Sequence, residues 1–463
     1  LHQGRWRDRQ LVPADWVAES TRAYSAVTTT NGEIHAGYGY LWWADWQGRN
    51  LENVSLPPGT FSARGAGGHH ILIVPALDLV IVHRVDTDKK DGPRVERTEF
   101  GTLVNLLLQA MPNPPGTNTA ANIRAAKPMP ETLDELVPKL MAQHHVPGVA
   151  IVGIENRRLA WERFYGVRRA GQPEPVDAQT VFEAASMTKL LMAYAALKLV
   201  EQGKLELDRS LAEYLDQPYL PDEPRHRRIT ARMVLSHTTG FPNWRTNGWQ
   251  KGGPLPLLYD PGTRFTSSGE GFLYLQRVVE HITDAPIQPY LQKTLLGPLQ
   301  LTNSSLVWQD RFSSQAAAGH NAQGQPMASR KFYHDANVAY SLYCTATDYA
   351  KVLLEMLADD RSAPHSLSAR SLDAMLTRTT VAEGRKPVAR GGVRSSEPMY
   401  YGLGWAIDTT AAGDRIHHSG SNGTGFRCHC EFDRRSGKGL VIMANAVNGA
   451  QLWQDIMLAV GEP

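Results

Sequence analysis

A serine and a lysine lie three positions apart in the segment 182–190, which reads Phe-Glu-Ala-Ala-Ser-Met-Thr-Lys-Leu. Residues at i and i+3 of a helix share a face, so the Lys189 ammonium can sit beside the Ser186 hydroxyl. A serine becomes a good nucleophile when a neighbour takes its proton, and a lysine can do this once burial or a positive field lowers its pKa. The positive end of the helix dipole also favours a developing oxyanion. The spacing indicates nucleophilic catalysis, although a helix-capping serine followed by an exposed lysine would have the same pattern.

Three further blocks follow this pair in a fixed order. Residues 233–242 read Met-Val-Leu-Ser-His-Thr-Thr-Gly-Phe-Pro, residues 261–272 read Pro-Gly-Thr-Arg-Phe-Thr-Ser-Ser-Gly-Glu-Gly-Phe, and residues 417–423 read His-His-Ser-Gly-Ser-Asn-Gly. With 182–190, they resemble the ordered motifs of the serine β-lactamase and penicillin-binding-protein superfamily. The resemblance extends from residue 131 to residue 463. It is closest to the class C β-lactamase-like branch, which includes β-lactamase-fold carboxylesterases and D-amino-acid peptidases.

The resemblance implies a role for each matching residue. Ser186 would be the acylated nucleophile and Lys189 its proton acceptor. His418 would occupy the position of the third-motif Lys or His, where a donor anchors a substrate carboxylate or tunes proton transfer. The resemblance implies neither a cofactor nor a catalytic metal.

The same resemblance assigns the strand that closes the site. Backbone N–H groups of Ser186 and Ser421 would form the oxyanion hole, because a strand edge opposite a helix start can provide such donors. Ser419 and Gly420 would line the substrate on this strand.

The second motif departs from the family pattern. Ser267 stands where the family has a tyrosine, and Gly269 stands where it commonly has an asparagine. A serine oxygen reaches roughly 4 Å less far from the backbone than a tyrosine oxygen. A water could bridge Ser267 to the nucleophile, Lys189 or His418 could carry the base role alone, or the change could have cost rate. Losing one acid/base partner costs roughly 10² to 10⁴ in rate, so we expect weakened activity.

Two nearby side chains offer substitutes for the missing tyrosine, and other constellations indicate less. Ser268 and Glu270 flank the departure, but Glu270 is expected to point away from the nucleophile. His237 fits a structural turn better than a catalytic base, and the sequence has no Gly-x-Ser-x-Gly elbow for a Ser-His-Asp triad. The segment 428–430, Cys-His-Cys, places two thiols on one side of a strand, but no second ligand pair at metal-site spacing accompanies it.

These observations favour a small-molecule hydrolase that forms an acyl-Ser186 intermediate. The missing third-motif lysine and the missing Tyr-x-Asn amide favour simple esters over penicillins, with amide or β-lactam cleavage left open. One alternative is a non-catalytic penicillin-binding or sensor-type domain, for which the missing tyrosine is the main support. A weak β-lactamase or a D-amino-acid peptidase is the other alternative.

The composition is that of a globular protein with no strong electrostatic partner. The chain has 463 residues, 42% hydrophobic and 20% charged, and a formal net charge of +2 at pH 7. Its length favours two or three domains, and its charge gives no reason to expect nucleic-acid binding. The longest apolar runs, 71–82 and 190–200, fall short of the ~20 residues that span a bilayer. We therefore expect no membrane span; a homo-oligomer is possible.

The sequence is compatible with more than one compartment. The three cysteines do not call for a disulfide framework. Residue Leu1 is not a start methionine and no signal-peptide pattern follows it. The expectation is a soluble protein, either cytoplasmic or, if an upstream leader is missing, periplasmic or secreted.

Apolar periodicity places the motifs on elements of an α/β domain. Helices are predicted over 131–143, 182–202, 347–357 and 452–460. Strands are predicted over 149–154 and 158–165, with three more between 402 and 445. Residues 205–337 read as a mostly helical lobe. The pattern predicts an antiparallel sheet flanked by helices and completed by both ends of the domain.

A Pro- and small-residue-rich stretch, 112–128, predicts a linker between residues 1–111 and a complete domain at 129–463. Segments in the first part resemble segments of the second at a nearly constant offset of about 360 residues. The pairs are 11–19 with 367–375, 38–43 with 401–405, and 79–81 with 440–442. Residues 1–111 are thus predicted to be a partial C-terminal copy of the same domain, without the Ser-x-x-Lys block. Chance similarity of amphipathic pieces is the alternative.

Overall fold

The computed structural model describes residues 5–6, 9–28, 34–45, 50–54, 56–57, 59–86, 94–110, 129–220, 222–246, 252–392, 394–410 and 413–460. The chain divides into two compact units, Leu1–Ala126 and Lys127–Pro463, and each is described by itself. The predicted linker at 112–128 lies outside the described residues.

The first unit contains a six-stranded antiparallel sheet whose strands follow chain order, β3-β4-β5-β6-β7-β8. Helix α2 covers one face, where Phe100 and Val104 pack against Leu72 and Val74. The elements are β1 (Arg5–Trp6), β2 (Arg9–Gln10), α1 (Ala14–Ser20), β3 (Ser25–Thr28), β4 (Ile34–Tyr38), β5 (Trp43–Ala44), β6 (Phe61–Gly65), β7 (His69–Val74), β8 (Leu79–His83) and α2 (Arg97–Ala110).

The second unit is larger and mixes helices with one long sheet. Its first half contains α3 (Met129–His144), β9 (Gly148–Glu155), β10 (Arg158–Gly166), β11 (Phe182–Glu183), α4 (Thr188–Glu201), α5 (Ala231–Leu235), α6 (Gly269–Thr283) and α7 (Ile287–Leu291). Its second half contains β12 (Tyr343–Cys344), α8 (Ala346–Leu357), α9 (Ala369–Leu376), β13 (Thr380–Val381), β14 (Tyr400–Tyr401), β15 (Ala406–Thr410), β16 (Gly413–Ser421), β17 (Arg427–Asp433), β18 (Lys438–Ala444) and α10 (Gly449–Val460).

Eight strands of this unit form an antiparallel sheet in the order β10-β9-β18-β17-β16-β15-β14-β13. Alternate residues of a strand face opposite sides, so β9 serves two layers. Val149 and Ile151 pack with α3 and α10, whereas Ala150 and Val152 pack with the core around α4 and α8. The start of the unit therefore pairs with its end through β9 and β18, which confirms the predicted α/β sheet with helices on both faces.

The nucleophile segment differs from its prediction. The helix predicted over 182–202 begins only at Thr188, because residues 182–184 hydrogen-bond to the neighbouring strand β12 and residue Leu342 instead. Ala185 then adopts φ 48°, a left-handed conformation that a right-handed helix does not allow. A short 3₁₀ turn, Ala185–Met187, contains Ser186, so Ser186 precedes the helix.

Between 402 and 445 the prediction of three strands was wrong, since four strands, β15 to β18, occupy this region. Apolar alternation does not reveal β16, whose buried side chains include Arg415, His417 and His418. Pairing with other polar groups makes this burial possible, so hydrophobicity alone is a poor guide to the strand.

None of the helices in the described part of the chain combines the length and apolar character that crossing a membrane requires.

Candidate active site

Ser186 is partly exposed, although the residues on either side of it, Ala185 and Met187, are fully buried. The positive φ of Ala185 turns the chain sharply between β11 and α4. Non-glycine residues adopt this conformation at some cost and usually where the surroundings enforce it. The turn leaves Ser186 partly exposed beside the first residues of a buried helix.

Lys189 lies on the first turn of α4, next to Ser186. Its Nζ is 2.9 Å from Ser186 Oγ and 2.8 Å from the carbonyl oxygen of Ala339. Burial lowers the pKa of Lys189 to about 7. Because a carbonyl oxygen only accepts hydrogen bonds, a neutral Lys189 can donate to Ala339 while its lone pair faces the Ser186 proton. The geometry suits a base for Ser186.

His418 lies on β16 and is buried, with 5% of its surface exposed. Its Nδ1 is 2.9 Å from the carbonyl oxygen of Ser419, so Nδ1 carries the proton and Nε2 the lone pair. Burial, together with the nearby Lys189 and His237, holds the pKa of His418 well below its usual range. Nε2 has no hydrogen-bond partner among the described residues. His418 is thus a neutral acceptor, which does not fit the expected anchoring of a substrate carboxylate.

Ser419 points away from His418, as neighbours on a strand do. Its Oγ is 2.9 Å from Nδ1 of His429, whose Nε2 lies 3.1 Å from the Glu431 carboxylate. Since the carboxylate accepts from Nε2–H, Nδ1 is the acceptor and the Ser419 hydroxyl donates to it. The side chain of Ser419 is therefore committed to the opposite face of the sheet, and a substrate role for it would rest on its backbone.

Gly420 is where β16 passes closest to the nucleophile segment. A Cβ at this position would lie 2.5 Å from the Ala184 carbonyl oxygen, 2.4 Å from Cys428 Sγ and 3.0 Å from Ala185 Cβ. Only glycine permits this approach. Ser421, the last residue of β16, is exposed. The structure thus brings the third motif against the turn that carries Ser186.

The second motif provides no replacement for the missing tyrosine among the side chains expected to offer one. Ser267 is partly exposed, and its hydroxyl has no hydrogen bond in the described part of the chain. Ser268 caps α6 by accepting from Gly271 N and donates to the Pro242 carbonyl. Glu270 is fully buried and its carboxylate binds Arg245, at 2.8 Å, so it is already paired.

A tryptophan fills the space beside the second motif. A Cβ at Gly269 would lie 2.5 Å from the Trp244 ring, so an asparagine here would displace that ring. Trp244 also makes an edge contact with Tyr340, with ring centroids 5.6 Å apart. An aromatic pair therefore lies next to the second motif.

His237 is held in a structural role. It is buried, has φ 58°, and its Nδ1 accepts from the Ser268 backbone N–H at 3.1 Å. Burial and the neighbouring Lys189 lower its pKa to about 3. A neutral ring used in this way orders the second motif, as the turn interpretation expects.

Two groups of the site were missed from the sequence. The Ala339 carbonyl that holds Lys189 is a backbone atom, and a backbone atom leaves no signal in residue type. Glu183 is a carboxylate buried next to the nucleophile segment. A charged residue inside the apolar run 181–185 was the available signal for it.

The described residues contain no group of three or more His, Cys, Asp or Glu side chains placed to bind a metal ion. Cys428 and Cys430 are both buried, and the Cys428 thiol lies 2.9 Å from the Ala184 carbonyl.

An antiparallel sheet between helical layers, with a Ser–Lys pair where a buried helix begins, defines the β-lactamase/transpeptidase fold. A sequence profile described as Beta-lactamase matches residues 133–459, most of the chain. The chain therefore belongs to the β-lactamase family, and the resemblance drawn from the four motifs is confirmed.

Individual relatives are more distant. Protein flp of Staphylococcus aureus (strain N315) is 23% identical over 231 residues, 46% of this chain and 46% of protein flp, so the chain spans less than half of that relative's length. A lovastatin esterase of Penicillium rubens is 26% identical over 292 residues, 51% of this chain and 71% of the esterase.

Solved structures support the fold alone, because their identities are low. A class C β-lactamase mutant aligns with a TM-score of 0.59 and 19% identity, covering 73% of this chain and 99% of that one. An octameric penicillin-binding protein homologue from Pyrococcus abyssi aligns with a TM-score of 0.58 and 19% identity, covering 70% of this chain and 75% of that one.

Proposed function

We propose that this protein is a serine hydrolase that cleaves uncharged carboxylic esters through an acyl-Ser186 intermediate. The observation that carries the proposal is the 2.9 Å contact between Lys189 Nζ and Ser186 Oγ, at a lysine whose pKa burial lowers to about 7. At neutral pH a large share of such a lysine is unprotonated and can accept the hydroxyl proton.

The reaction would proceed in two displacements. Ser186 Oγ attacks the ester carbonyl carbon while its proton passes to Lys189 Nζ, and the oxyanion accepts from the N–H groups of Ser186 and Ser421. Collapse breaks the bond to the alcohol, which leaves with the proton from Lys189. Water then attacks the acyl carbon and gives a proton to Lys189 Nζ. Collapse of this second intermediate breaks the bond to Ser186 Oγ, which takes the proton back from Lys189, and the acid is released.

The third motif supports the preference for uncharged esters. His418 is a neutral acceptor and the Ser419 hydroxyl is bound to His429, so neither side chain offers a cation or a donor for a carboxylate. A penicillin or a peptide C-terminus carries such a carboxylate, and its burial without a partner is unfavourable. The likeness to a lovastatin esterase points to the same reaction class.

The rival function is ligand binding without turnover, and the serine at position 267 is the observation that favours it. Incubation with a fluorophosphonate followed by mass spectrometry separates the two. We expect an adduct on Ser186 that is absent from Ser186→Ala. Failure of the native protein to react with either a fluorophosphonate or a labelled penicillin would reject the hydrolase.

Initial rates test the substrate class. We expect p-nitrophenyl butyrate to be hydrolysed faster than nitrocefin, with Ser186→Ala inactive on both. Nitrocefin hydrolysis at a rate equal to that of the ester would contradict the preference for uncharged esters.

A further inference from the structure

Glu183 is a buried carboxylate that the catalytic steps above do not use. It ends β11, three residues before the nucleophile, and exposes 3% of its surface. Its Oε2 accepts three hydrogen bonds, from Tyr333 Oη at 3.0 Å, Asn422 Nδ2 at 2.7 Å and Thr424 Oγ1 at 2.6 Å. All three partners can donate, and a carboxyl oxygen can accept from each of them.

The donors come from two segments that border the site. Asn422 and Thr424 belong to the turn that follows β16, directly after Ser421. Tyr333 lies on the segment that leads to Ala339, whose carbonyl holds Lys189. Glu183 therefore connects the nucleophile strand to both segments.

Asn422 strengthens this connection. Its Nδ2 also lies 3.4 Å from the carbonyl oxygen of Tyr340, the residue after Ala339. One side chain thus bridges the Glu183 carboxylate and the backbone that positions Lys189. We call Glu183, Tyr333, Asn422 and Thr424 the Glu183 cluster.

The free-energy cost of burying a carboxyl group argues against a purely space-filling role for Glu183. Burial raises the pKa of Glu183 more than its three hydrogen bonds lower it, so the buried carboxyl group is costly to keep charged. Three donors nevertheless converge on one buried oxygen of this side chain. An apolar residue would fill the same volume without the desolvation cost, but it would not fix the direction of three donors.

We propose that Glu183 is a positioning residue whose carboxylate fixes the turn 422–424 and the segment 333–340 relative to Ser186. By this means it sets the place of the Ser421 N–H and of the Ala339 carbonyl during acylation. The inference rests on the proposed hydrolase function and goes beyond it. Misplacement of a catalytic group by about 1 Å can cost on the order of 10² in rate, so the cluster should affect kcat.

The test compares single-atom changes at the edge of the cluster. Thr424→Val and Tyr333→Phe each remove one donor with little change of shape, and Thr424→Ser keeps the hydroxyl. The matched control is Thr347→Val, which removes a similar partly buried bond, 2.5 Å from Thr347 Oγ1 to the Glu162 carboxylate on α8 and β10. Readouts are kcat and KM for p-nitrophenyl butyrate, the rate of fluorophosphonate labelling, and the midpoint of thermal unfolding.

We expect Thr424→Val and Tyr333→Phe to lower kcat and the labelling rate by about tenfold while KM changes little. Thr424→Ser should restore most of the rate, and Thr347→Val should keep the native rate even if its unfolding midpoint falls. This pattern separates positioning from stability, because a purely structural role would move all midpoints and leave kcat unchanged.

Two negative results can be told apart, one against the hydrolase function and one against the positioning role. If the native protein neither labels nor hydrolyses esters, the hydrolase function is rejected. If the native protein labels at Ser186 and both Thr424→Val and Tyr333→Phe label at its rate, or if Thr347→Val loses as much rate as they do, the positioning role is rejected.

Discussion

Lys189 can serve as a base because the protein keeps it out of water. Its ammonium would be buried against Ser186, the Ala339 carbonyl and the Phe272 ring, and burial is the cause of its lowered pKa. The two histidines within electrostatic range, His237 and His418, also have lowered pKa values. Both histidines are neutral near pH 7, so Lys189 is the one of these three side chains whose protonation state changes there.

The pH dependence of acylation follows from this lysine. With a pKa of about 7, Lys189 loses its proton as pH rises through neutrality, so kcat/KM should rise to a plateau above that pH and fall below it. Ester hydrolysis measured across the neutral range checks this. Lys189→Met should lower the plateau by roughly 10² to 10⁴. A native profile that is flat through neutral pH would contradict the assignment of Lys189 as the base.

A second prediction at this scale concerns the departure at position 267. Ser267→Tyr introduces a phenol at the position of the family tyrosine and should raise kcat for p-nitrophenyl butyrate, by up to roughly 10². Ser267→Phe is the control, since it adds the ring without the hydroxyl. Equal rates for the tyrosine and phenylalanine variants would mean that the phenol takes no part in proton transfer.

Strand β16 links the site to a buried ionic network on the far face of the sheet. Arg390 lies 2.9 Å from both the Asp408 and Glu431 carboxylates, and His417 Nε2 lies 3.1 Å from Asp408. Ser419 joins this network through His429, whose ring stacks on Trp453 with centroids 4.2 Å apart. The network fixes the register of β15, β16 and β17, so one face of β16 is anchored while the other carries His418.

Removing the central cation should destabilise this element strongly. Arg390→Met removes the cation that two buried carboxylates share, and breaking such a pair costs about 3 to 5 kcal/mol. Urea unfolding monitored by circular dichroism measures the loss. Arg378→Met is the control, since it breaks the more exposed pair with Asp414 and should cost far less. Equal losses for the two variants would contradict the central role of Arg390.

The same network makes the free energy of unfolding depend on pH in the acidic range. Burial raises the pKa of Asp408, but His417 and Arg390 outweigh it and lower the value to about 2. A carboxylate with a lowered folded-state pKa contributes stability above its unfolded value of about 3.9, and this contribution is lost as pH falls towards 2. The free energy of unfolding should therefore drop over this window. Asp408→Asn should show a smaller drop than the native protein in the same titration.

At the scale of the whole molecule, strand β8 of the first unit can be compared with strand β18 of the second. In β18, Leu440 and Val441 are both buried, because helices cover both faces and β9 pairs with its edge. In β8, Leu79 faces the packed side, whereas Val80 is 45% exposed. We propose on this pattern that residues 1–111 are a partial copy of the domain at 129–463, containing the counterparts of β18 and α10.

The division into two units predicts independent behaviour. A fragment that starts at Lys127 contains all groups of the proposed site, so it should fold and label at Ser186 at the native rate. Circular dichroism and fluorophosphonate labelling of this fragment are the measurements. A folded fragment with slow labelling would instead assign residues 1–126 a role as a lid or a dimer surface.

The sequence by itself determined the family and the α/β architecture, and it predicted that Ser186 and Lys189 lie together. These depend on short-range order: periodicity defines helices α3, α8 and α10 and strands β9 and β10, and i, i+3 spacing places the lysine beside the serine. It also identified the departure at Ser267. Such features can be predicted from the sequence because they involve residues that are close along the chain.

The tertiary structure decided what depends on groups distant in sequence. It set the start of α4, since residues 182–184 bond to a strand 160 residues away instead of continuing the helix. In the folded chain the Ser419 hydroxyl binds His429, and His418 is a neutral acceptor. The Ala339 carbonyl and the Glu183 cluster lie around Ser186 and Lys189. Burial and hydrogen-bond direction arise only when separate segments meet, and the pKa of Lys189 depends on both.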